Sequence, residues 1–522
     1  MKRRFNVTGL CHPNEHYMVD MTNKLKQIEK MVAHGDYFTI NRARQYGKTT
    51  TLSRLEKFLK QAYTVVSISF EDWGDSSFAT EENFCLNFLE DIVEALELTG
   101  ELPAYYESWL DNTTTNFKKL GKHIRKMCQD KKIVLMIDEV DQISHNQVFL
   151  QFLGILRANY LRRANGKGTT FQSVILVGVY DIKNIKLKMI NDGVYMPKET
   201  ENHLRNSPWN IAADFKVDLS FNATEIATML AAYEHDYQTG MDVVVVSKEL
   251  YAYTNGYPFM VSRLCQLIHD ETKGWDIYGV RAAVTALLRE DNQLFKDMAK
   301  NLENHQALSD LMYDVLILGL KVNFSYDHPV MEMAKRYGYI KKNKRDMIQV
   351  FNKVFETRVS NYFVAKNVLS KPHQRTNALY HQIVTDDEFN MALCLEKFAD
   401  FFNREIFPTK EKALLELQYR ISFLSYLKPL LNGVGNQHYE SQLMDERRMD
   451  VIVNYGRHEY IVELKRIFSE RDRTEGIKQL LGYMEARGAD VGYYLTFDFR
   501  KKSVSKMEWL EIDEKRILEV NV

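Results

Sequence analysis

The sequence predicts an α/β protein: a parallel sheet with helices on both faces, then helical segments, then a second and smaller α/β region. Three observations carry this. From about Asp36 to Phe221 short apolar strands alternate with amphipathic helices, the pattern of a sheet covered on two sides. A Gly47-Lys48-Thr49 turn joins one of those strands to a helix. A wholly apolar strand, Ile133–Ile137, ends in two carboxylates, Asp138 and Glu139.

The elements follow in order. Tyr37–Ile40 reads as a strand and Lys48–Lys60 as the helix after it. Thr64–Phe70 is β-branched and strand-like. Helices are expected over Glu82–Leu98, Thr115–Asp130 and Phe149–Ala164, and a buried strand over Ser173–Tyr180. From Asn222 to about Gly274 the pattern turns helical, and Asn222-Ala223-Thr224-Glu225 resembles a capping box. Ala307–Val364 reads helix, helix, two short strands (Tyr339-Ile340 and Met347–Phe351) and a helix, a winged-helix-like unit. A long helix, Glu411–Leu431, precedes strands at His438–Leu443, Met449–Asn454 and Tyr460–Leu464, a helix at Thr474–Ala486 and a strand at Val491–Phe497. The expected divisions are 1–221 for the sheet core, 222–300 for a helical lid, 301–399 for the winged-helix-like unit and connector, and 400–522 for the last region.

Bulk properties narrow the classes. The 522 residues carry 69 Lys+Arg against 70 Asp+Glu, so contact with nucleic acid must rest on a local patch of cations. The five cysteines, Cys11, Cys85, Cys128, Cys265 and Cys394, are widely spread and show no Cys-x-x-Cys spacing. That argues against a zinc knuckle or disulfide framework and fits a reducing compartment. No apolar run approaches the roughly 20 residues that span a bilayer. No membrane association is therefore expected, and the cytoplasm is the expected location.

The turn Asn41-Arg42-Ala43-Arg44-Gln45-Tyr46-Gly47-Lys48-Thr49-Thr50 stands between a strand and a helix. N–H groups at a helix N-terminus favour phosphate oxygens. Lys48 is placed to reach the β- and γ-phosphates, and Thr49 to offer its hydroxyl to Mg²⁺. Gly47 lets the backbone turn closely. Arg42 stands where the usual pattern has its first glycine. The Ile133–Ile137 strand is expected beside the phosphate-loop strand, with Asp138 holding Mg²⁺ and Glu139 polarising the attacking water.

With these residues the chain resembles a bacterial AAA-ATPase-like family over about residues 6–270. The resemblance is carried by Tyr37–Leu52, by Asp138-Glu139-Val140-Asp141 and by Ser207-Pro208-Trp209-Asn210-Ile211-Ala212. In that family an R-x-R-x-x-G-K-[ST] loop replaces the glycine-rich one, which makes Arg42 a family feature. The resemblance implies an AAA+-type P-loop sheet with a helical lid, using ATP and Mg²⁺. Arg42, Gln45, Tyr46, Gly47, Lys48, Thr49, Thr50 and Asp138 would form the nucleotide site. Tyr180 or Asp181 would sense the γ-phosphate and Arg263 would be a lid arginine facing the nucleotide. An arginine finger would be Arg157, Arg162 or Arg163, although a basic solvated helix end accounts for all three. A finger supplied in trans would need a homo-oligomer.

The second constellation is Glu440, Asp450, Glu463 and Lys465. Glu463 and Lys465, two apart on a strand, face the same way, and a hairpin can bring Asp450 beside Glu463. Paired carboxylates suit Mg²⁺ or Mn²⁺. Such a metal lowers the pKa of bound water, while a lysine offsets developing charge. Residues from about 411 to 500 resemble the PD-(D/E)XK nuclease superfamily, a restriction-endonuclease-like α/β fold. The resemblance makes Asp450, Glu463 and Lys465 the metal and catalytic set, Glu440 or Glu416 an additional acid, and Gln479 the accessory residue. The proline of the motif is replaced by Met449. The reading that follows is an ATPase gating a metal-dependent nuclease on nucleic acid, DNA ahead of RNA. A basic cluster at Lys335, Arg336, Lys341, Lys342, Lys344 and Arg345 would help hold it. The alternative is a nucleotide-controlled assembly or signalling switch whose C-terminal fold only binds nucleic acid or a partner.

Overall fold

A computed structural model describes residues 2–98, 100, 116–140, 147–178, 209–272, 274–316, 320, 322–370, 383, 388–403, 422–424, 426–427, 430–431, 435–438, 451–455, 458–467, 469–498 and 506–522. They group into two compact units. One comprises Met1–Tyr237 with Tyr257–Ser262, and the other Gln238–Gly256 with Arg263–Val522.

The first unit is built on four parallel strands: β1 (Tyr37–Asn41), β2 (Thr64–Ser69), β3 (Ile133–Asp138) and β4 (Ser173–Gly178). Their order is β1-β4-β3-β2. The expected pairing of β3 with the phosphate-loop strand is thus corrected, because β4 lies between them, with Val174 opposite Tyr37 and Leu135 opposite Val174. Both β3 and β4 are apolar along their length, as strands with two buried faces must be, and this sequence alone does not distinguish which of them is central. On the outer edge of β1, Ala213 bridges Phe38 in parallel and donates its N–H to the Tyr37 carbonyl at 2.7 Å.

Alternation sends Tyr37, Leu135 and Val174 into a core with the helices Glu81–Leu98, Phe117–Met127 and Gln147–Ala164. Phe38, Val134 and Ile175, each adjacent in the chain to one of these, are buried without belonging to it. Asn222 and Glu225 exchange N–H···O bonds of 2.9 Å each, the expected capping box at the start of helix Ala223–Tyr237.

The second unit holds the helices Val243–Thr254, Ile277–Arg289, Gln293–Asn304 and Gln306–Leu316. After them come helix Pro329–Arg336, an antiparallel pair β5 (Ile340–Lys342) and β6 (Ile348–Val350), and helix Lys353–Ser370. That is the element order expected for the winged-helix-like unit.

A six-stranded sheet completes this unit: β7 (Gly435–His438), β8 (Val451–Tyr455), β9 (His458–Ile467), β10 (Val491–Asp498), β11 (Lys506–Ile512) and β12 (Lys515–Asn521). The order is β11-β12-β10-β9-β8-β7, parallel across β9-β10-β12 and antiparallel at both ends. The β11–β12 hairpin was not anticipated from sequence. Helix Glu470–Arg487 covers one face with Leu480 and Met484 against Ile461, Ile467 and Tyr494. Helix Met391–Phe401 contributes to the core on the other, with Val462, Leu464 and Leu495.

Half-buried charges also hold this unit together. Glu459 at the start of β9 meets Arg487 at 3.3 Å and Arg281 of helix Ile277–Arg289 at 3.7 Å. Arg281 also meets Glu249 at 3.3 Å. Burial pushes the Glu459 carboxyl up and the Arg487 guanidinium down, so pairing does not fully offset desolvation. Lys353 lies nearby, its ammonium 5.5 Å from the Tyr253 ring. Burial and the charge of Arg487 bring its pKa down to about 8.

Candidate functional site

The C-terminal ends of β1, β3 and β4 lie on one edge of the parallel sheet, and the phosphate loop leaves β1 there. Arg42 N donates to the Gly178 carbonyl at 3.2 Å and Val140 N to the Val177 carbonyl at 3.1 Å. The loops after β1 and β3 are thus both stitched to β4. The helix Lys48–Leu59 begins at Gly47, whose φ of 72° is left-handed, and no side chain caps its N-terminus. Gln45 and Glu139 also have positive φ, 57° and 56°. Non-glycine residues in that region commonly mark functional sites.

Thr49 Oγ1 lies 3.4 Å from Asp138 Oδ2. A hydroxyl beside a carboxylate is the oxygen donor set that Mg²⁺ prefers, so these residues fit the metal that accompanies a nucleotide triphosphate. Asp138 Oδ1 accepts the Glu139 N–H at 2.9 Å, which fixes the carboxylate at the strand end. Lys48 is buried and its ammonium donates to the Arg42 and Ala43 carbonyls at 3.2 and 3.3 Å.

The remaining expected ligands fall in different places. Gln45 is exposed at the loop tip, whereas Tyr46 is buried with its ring edge-on to Tyr257, centroids 4.8 Å apart. The Thr50 hydroxyl accepts the Cys11 N–H at 3.2 Å. The Arg42 guanidinium turns to the Asn41 and Val217 carbonyls, 2.8 Å each, and lies 5.4 Å from the Phe215 ring centre. Burial lowers its pKa, yet an arginine keeps its charge at neutral pH. Arg263, in the other unit, pairs with Glu290 and Gln266 at 2.7 Å each. Tyr180 and Asp181 lie outside the described residues.

Of the finger candidates, Arg163 is committed elsewhere. It donates to the carbonyls of Gly35, Phe171 and Gln172 at 2.5–2.8 Å. Those residues precede β1 and β4, so Arg163 braces the sheet edge opposite the phosphate loop. Helix Gln147–Ala164 returns the chain to that edge, which is why its end is found there.

Sequence reasoning passed over Tyr257. It is fully buried and its hydroxyl donates to the Arg44 carbonyl at 2.6 Å. Pro258, next to it, sets its Cβ 3.7 Å from where a side chain on Gly47 would begin. The signal was present in Asn255-Gly256-Tyr257-Pro258, where Asn255 and Gly256 both take left-handed φ, 47° and 71°.

In the C-terminal sheet, Ile461 and Ile467 face helix Glu470–Arg487. Period two puts Glu463 and Lys465 on the same face. Lys465 Nζ donates to Gln479 Oε1 of that helix at 3.1 Å. Glu463 is 3% exposed and stands opposite Tyr494 of β10. Burial, then the Glu463 charge, raises the Tyr494 pKa. Three of the expected residues are therefore together. Asp450, Glu440 and Glu416 lie outside the described residues, and β8 is described from Val451, which pairs with Val462. Among the described residues no group of three His, Cys, Asp or Glu side chains could hold a metal. No helix among them is long and apolar enough to cross a membrane.

Comparison with known proteins gives one broad match. A family model described as an AAA-like domain matches residues 10–356. An uncharacterized WD repeat-containing protein of Synechocystis sp. is 22% identical over 259 residues, 48% of this chain and 20% of that protein. The chain thus spans a fifth of that relative's length. Among solved structures, the Thermotoga maritima RuvB Holliday junction branch migration motor is 14% identical, with 63% of this chain and 92% of that chain covered and a TM-score of 0.31. A Drosophila ORC structure bound to GC-rich DNA and Cdc6 is 15% identical, covering 78% of this chain and 55% of that one, with a TM-score of 0.26. Scores this low say nothing about substrate or partners.

Proposed function

The chain belongs to the AAA-like domain family, and from that premise we propose that its nucleotide cycle gates a metal-dependent nuclease in the C-terminal sheet. The family gives the first unit its character as a P-loop AAA+ ATPase module using ATP and Mg²⁺. Within it, Lys48 binds the phosphates, Thr49 and Asp138 hold the Mg²⁺, and Glu139 orients and deprotonates the attacking water. The Mg²⁺, when bound, supplies neutralisation of phosphate charge. The N-terminus of helix Lys48–Leu59, free of a side-chain cap, offers its N–H groups to phosphate oxygens.

One observation carries the nuclease reading: Glu463, Lys465 and Gln479 converge between β9 and helix Glu470–Arg487, with Lys465 held by Gln479 at 3.1 Å. A carboxylate and an ammonium on one face suit phosphodiester hydrolysis, in which a divalent cation on Glu463 and Asp450 would supply the activated water. Lys465 offsets charge developing on the phosphate, and Gln479 keeps its ammonium in place. Glu440 is the further acidic candidate. Nucleic acid, DNA ahead of RNA, is the substrate class this chemistry addresses. Lys335 and Lys342, whose ammonium groups lie 5.0 and 5.5 Å from the exposed Tyr326 ring, would contact its backbone.

The test is cleavage of single- and double-stranded DNA and of RNA by the full chain, with and without ATP, in Mg²⁺, Mn²⁺ or EDTA. Metal-dependent cleavage that Lys465→Ala and Asp450→Ala abolish, and that responds to ATP only while Lys48 is intact, supports the proposal. Intact ATP hydrolysis without cleavage of any substrate removes the nuclease and leaves a nucleotide-controlled switch.

A further inference from the structure

Four consecutive carbonyls of the phosphate loop are each taken by a side chain. The Asn41 carbonyl accepts from Arg42 at 2.8 Å. The Arg42 and Ala43 carbonyls accept from Lys48 at 3.2 and 3.3 Å. The Arg44 carbonyl accepts from the Tyr257 hydroxyl at 2.6 Å. Arg42 is anchored in turn by the Val217 carbonyl at 2.8 Å and the face of Phe215. Tyr257 is anchored by full burial and by Tyr46, edge-on at 4.8 Å.

A peptide unit whose C=O is fixed has its N–H fixed as well, because the group is planar. Tying the Arg42, Ala43 and Arg44 carbonyls therefore settles the direction of the Ala43, Arg44 and Gln45 N–H groups, while the Arg42 N–H, in the peptide of the Asn41 carbonyl, is spent on the Gly178 carbonyl at 3.2 Å. A glycine at position 42 would give the loop freedom to adopt such a shape; an arginine there removes that freedom and supplies donors instead.

We propose that Arg42 and Tyr257 are positioning residues of the nucleotide site, clamping the two ends of the phosphate loop by its carbonyl oxygens, Arg42 where the loop leaves the strand and Tyr257 where the Gln45 N–H is aimed at the nucleotide's phosphates. The inference rests on the assignment of the first unit as an ATPase module. Lys48 differs from the other two donors. It is the phosphate-binding lysine, and nucleotide draws its ammonium off the Arg42 and Ala43 carbonyls, whereas Arg42 and Tyr257 keep their carbonyls in both states. The loop that binds phosphate is then held at its two ends, at Asn41 and Arg44, while its middle is released.

The experiment measures equilibrium binding of ADP and ATP, with nucleotide-free melting temperature and steady-state hydrolysis, for the full chain and its Tyr257→Phe, Arg42→Lys and Arg42→Gly variants. Tyr257→Phe keeps the ring and removes one hydrogen bond, so both nucleotides should bind about fivefold more weakly. Arg42→Lys cannot reach both carbonyls as a planar fork does and should lose about tenfold. Arg42→Gly should lose more, although it restores the usual residue. In Tyr257→Phe and Arg42→Lys the nucleotide-free melting temperature should stay within about 3 °C of wild type, while KM rises and kcat changes less than twofold. Unchanged affinity in Tyr257→Phe and Arg42→Lys overturns the proposal. Weakened binding matched by an equivalent loss of nucleotide-free stability makes these ties a folding requirement and overturns it too. Wild-type protein that binds neither nucleotide overturns the ATPase assignment along with the proposal, a result distinguishable from failure of the variants alone.

Discussion

Thr49 Oγ1 and Asp138 Oδ2 stand 3.4 Å apart although the whole of β4 separates their strands. The loop after β1 crosses the end of β4 before Thr49 enters its helix, and Asp138 ends β3 on the same edge. Glu139, with its left-handed φ of 56°, then turns away from the strand direction.

This pairing predicts separable defects. Glu139→Gln should keep ATP affinity within about threefold while hydrolysis falls by about 10²–10⁴, the usual contribution of a general base. Asp138→Asn should instead raise the Mg²⁺ concentration needed for half-maximal hydrolysis. Phosphate release titrated with Mg²⁺, beside equilibrium ATP binding, reads both. Normal hydrolysis by Glu139→Gln would remove Glu139 from the reaction.

Asp91 predicts a pH dependence of stability. Burial raises its pKa to about 6, against the pull of the Trp73 indole N–H, which donates to it at 2.9 Å. The folded state thus takes up a proton between pH 6 and 3.8 that the unfolded state does not, so this carboxyl's cost to stability is present in full above pH 6 and fades as pH falls to 3.8. Asp91→Asn keeps an acceptor for Trp73 and should stabilise the first unit at pH 7 by about 1–2 kcal/mol, allowing for partial screening. Denaturant unfolding of wild type and variant at pH 7 and 4.5 should show the gap closing at the lower pH.

Gly476 predicts a steric limit in the C-terminal sheet. A Cβ there would sit 2.7 Å from Tyr494 Cζ, and Tyr494 is fully buried. Alanine ordinarily gains about 1 kcal/mol over glycine inside a helix, but forcing the helix off the sheet costs about 1–3 kcal/mol. Gly476→Ala should therefore destabilise the second unit, by up to about 2 kcal/mol in urea unfolding. A more stable variant would show that the helix can shift freely.

The charges around Glu459 predict non-additivity. Glu459→Ala leaves Arg487 and Arg281 facing each other without their shared carboxylate and should cost about 3 kcal/mol. Glu459→Met with Arg487→Met removes both members of a pair that burial already disfavours, and should recover most of that loss. Unfolding free energies of Glu459→Met, Arg487→Met and the double variant form the cycle that checks it.

How legible these features were in sequence depends on how local their causes are. The four strands of the first sheet, the capping box at Asn222 and Glu225, and the Lys48–Leu59 helix were readable because period and caps are local signals; the strand expected over His438–Leu443 is described as Gly435–His438, and 439–443 lie outside the described residues. The insertion of β4 between β1 and β3 was not, since two continuous apolar strands look alike until neighbours are known. Strand period put Lys465 on the face of Glu463, whereas Gln479 came only from the nuclease resemblance, and their 3.1 Å contact is seen in the structure alone. Tyr257 was not, because its partner at Arg44 is 213 residues distant and no periodic pattern links them. The role of Arg42 as a brace on Val217, 175 residues away, was hidden for the same reason. The β11–β12 hairpin was missed because Lys506–Ile512 is exposed along most of its length and its polar–apolar alternation breaks at Trp509-Leu510.

The contact of Arg281 and Glu249 with Glu459 and Arg487 bears on how such chains can be recombined. The AAA-like match ends at residue 356, inside the helix Lys353–Ser370, so a cut there divides a helix and leaves Arg281 without the carboxylate at 459. A C-terminal sheet grafted from a relative brings its own side chain to that position. Charge compatibility between positions 281 and 459 is thus a condition that any such graft has to meet, with Glu249 left as the remaining partner of Arg281.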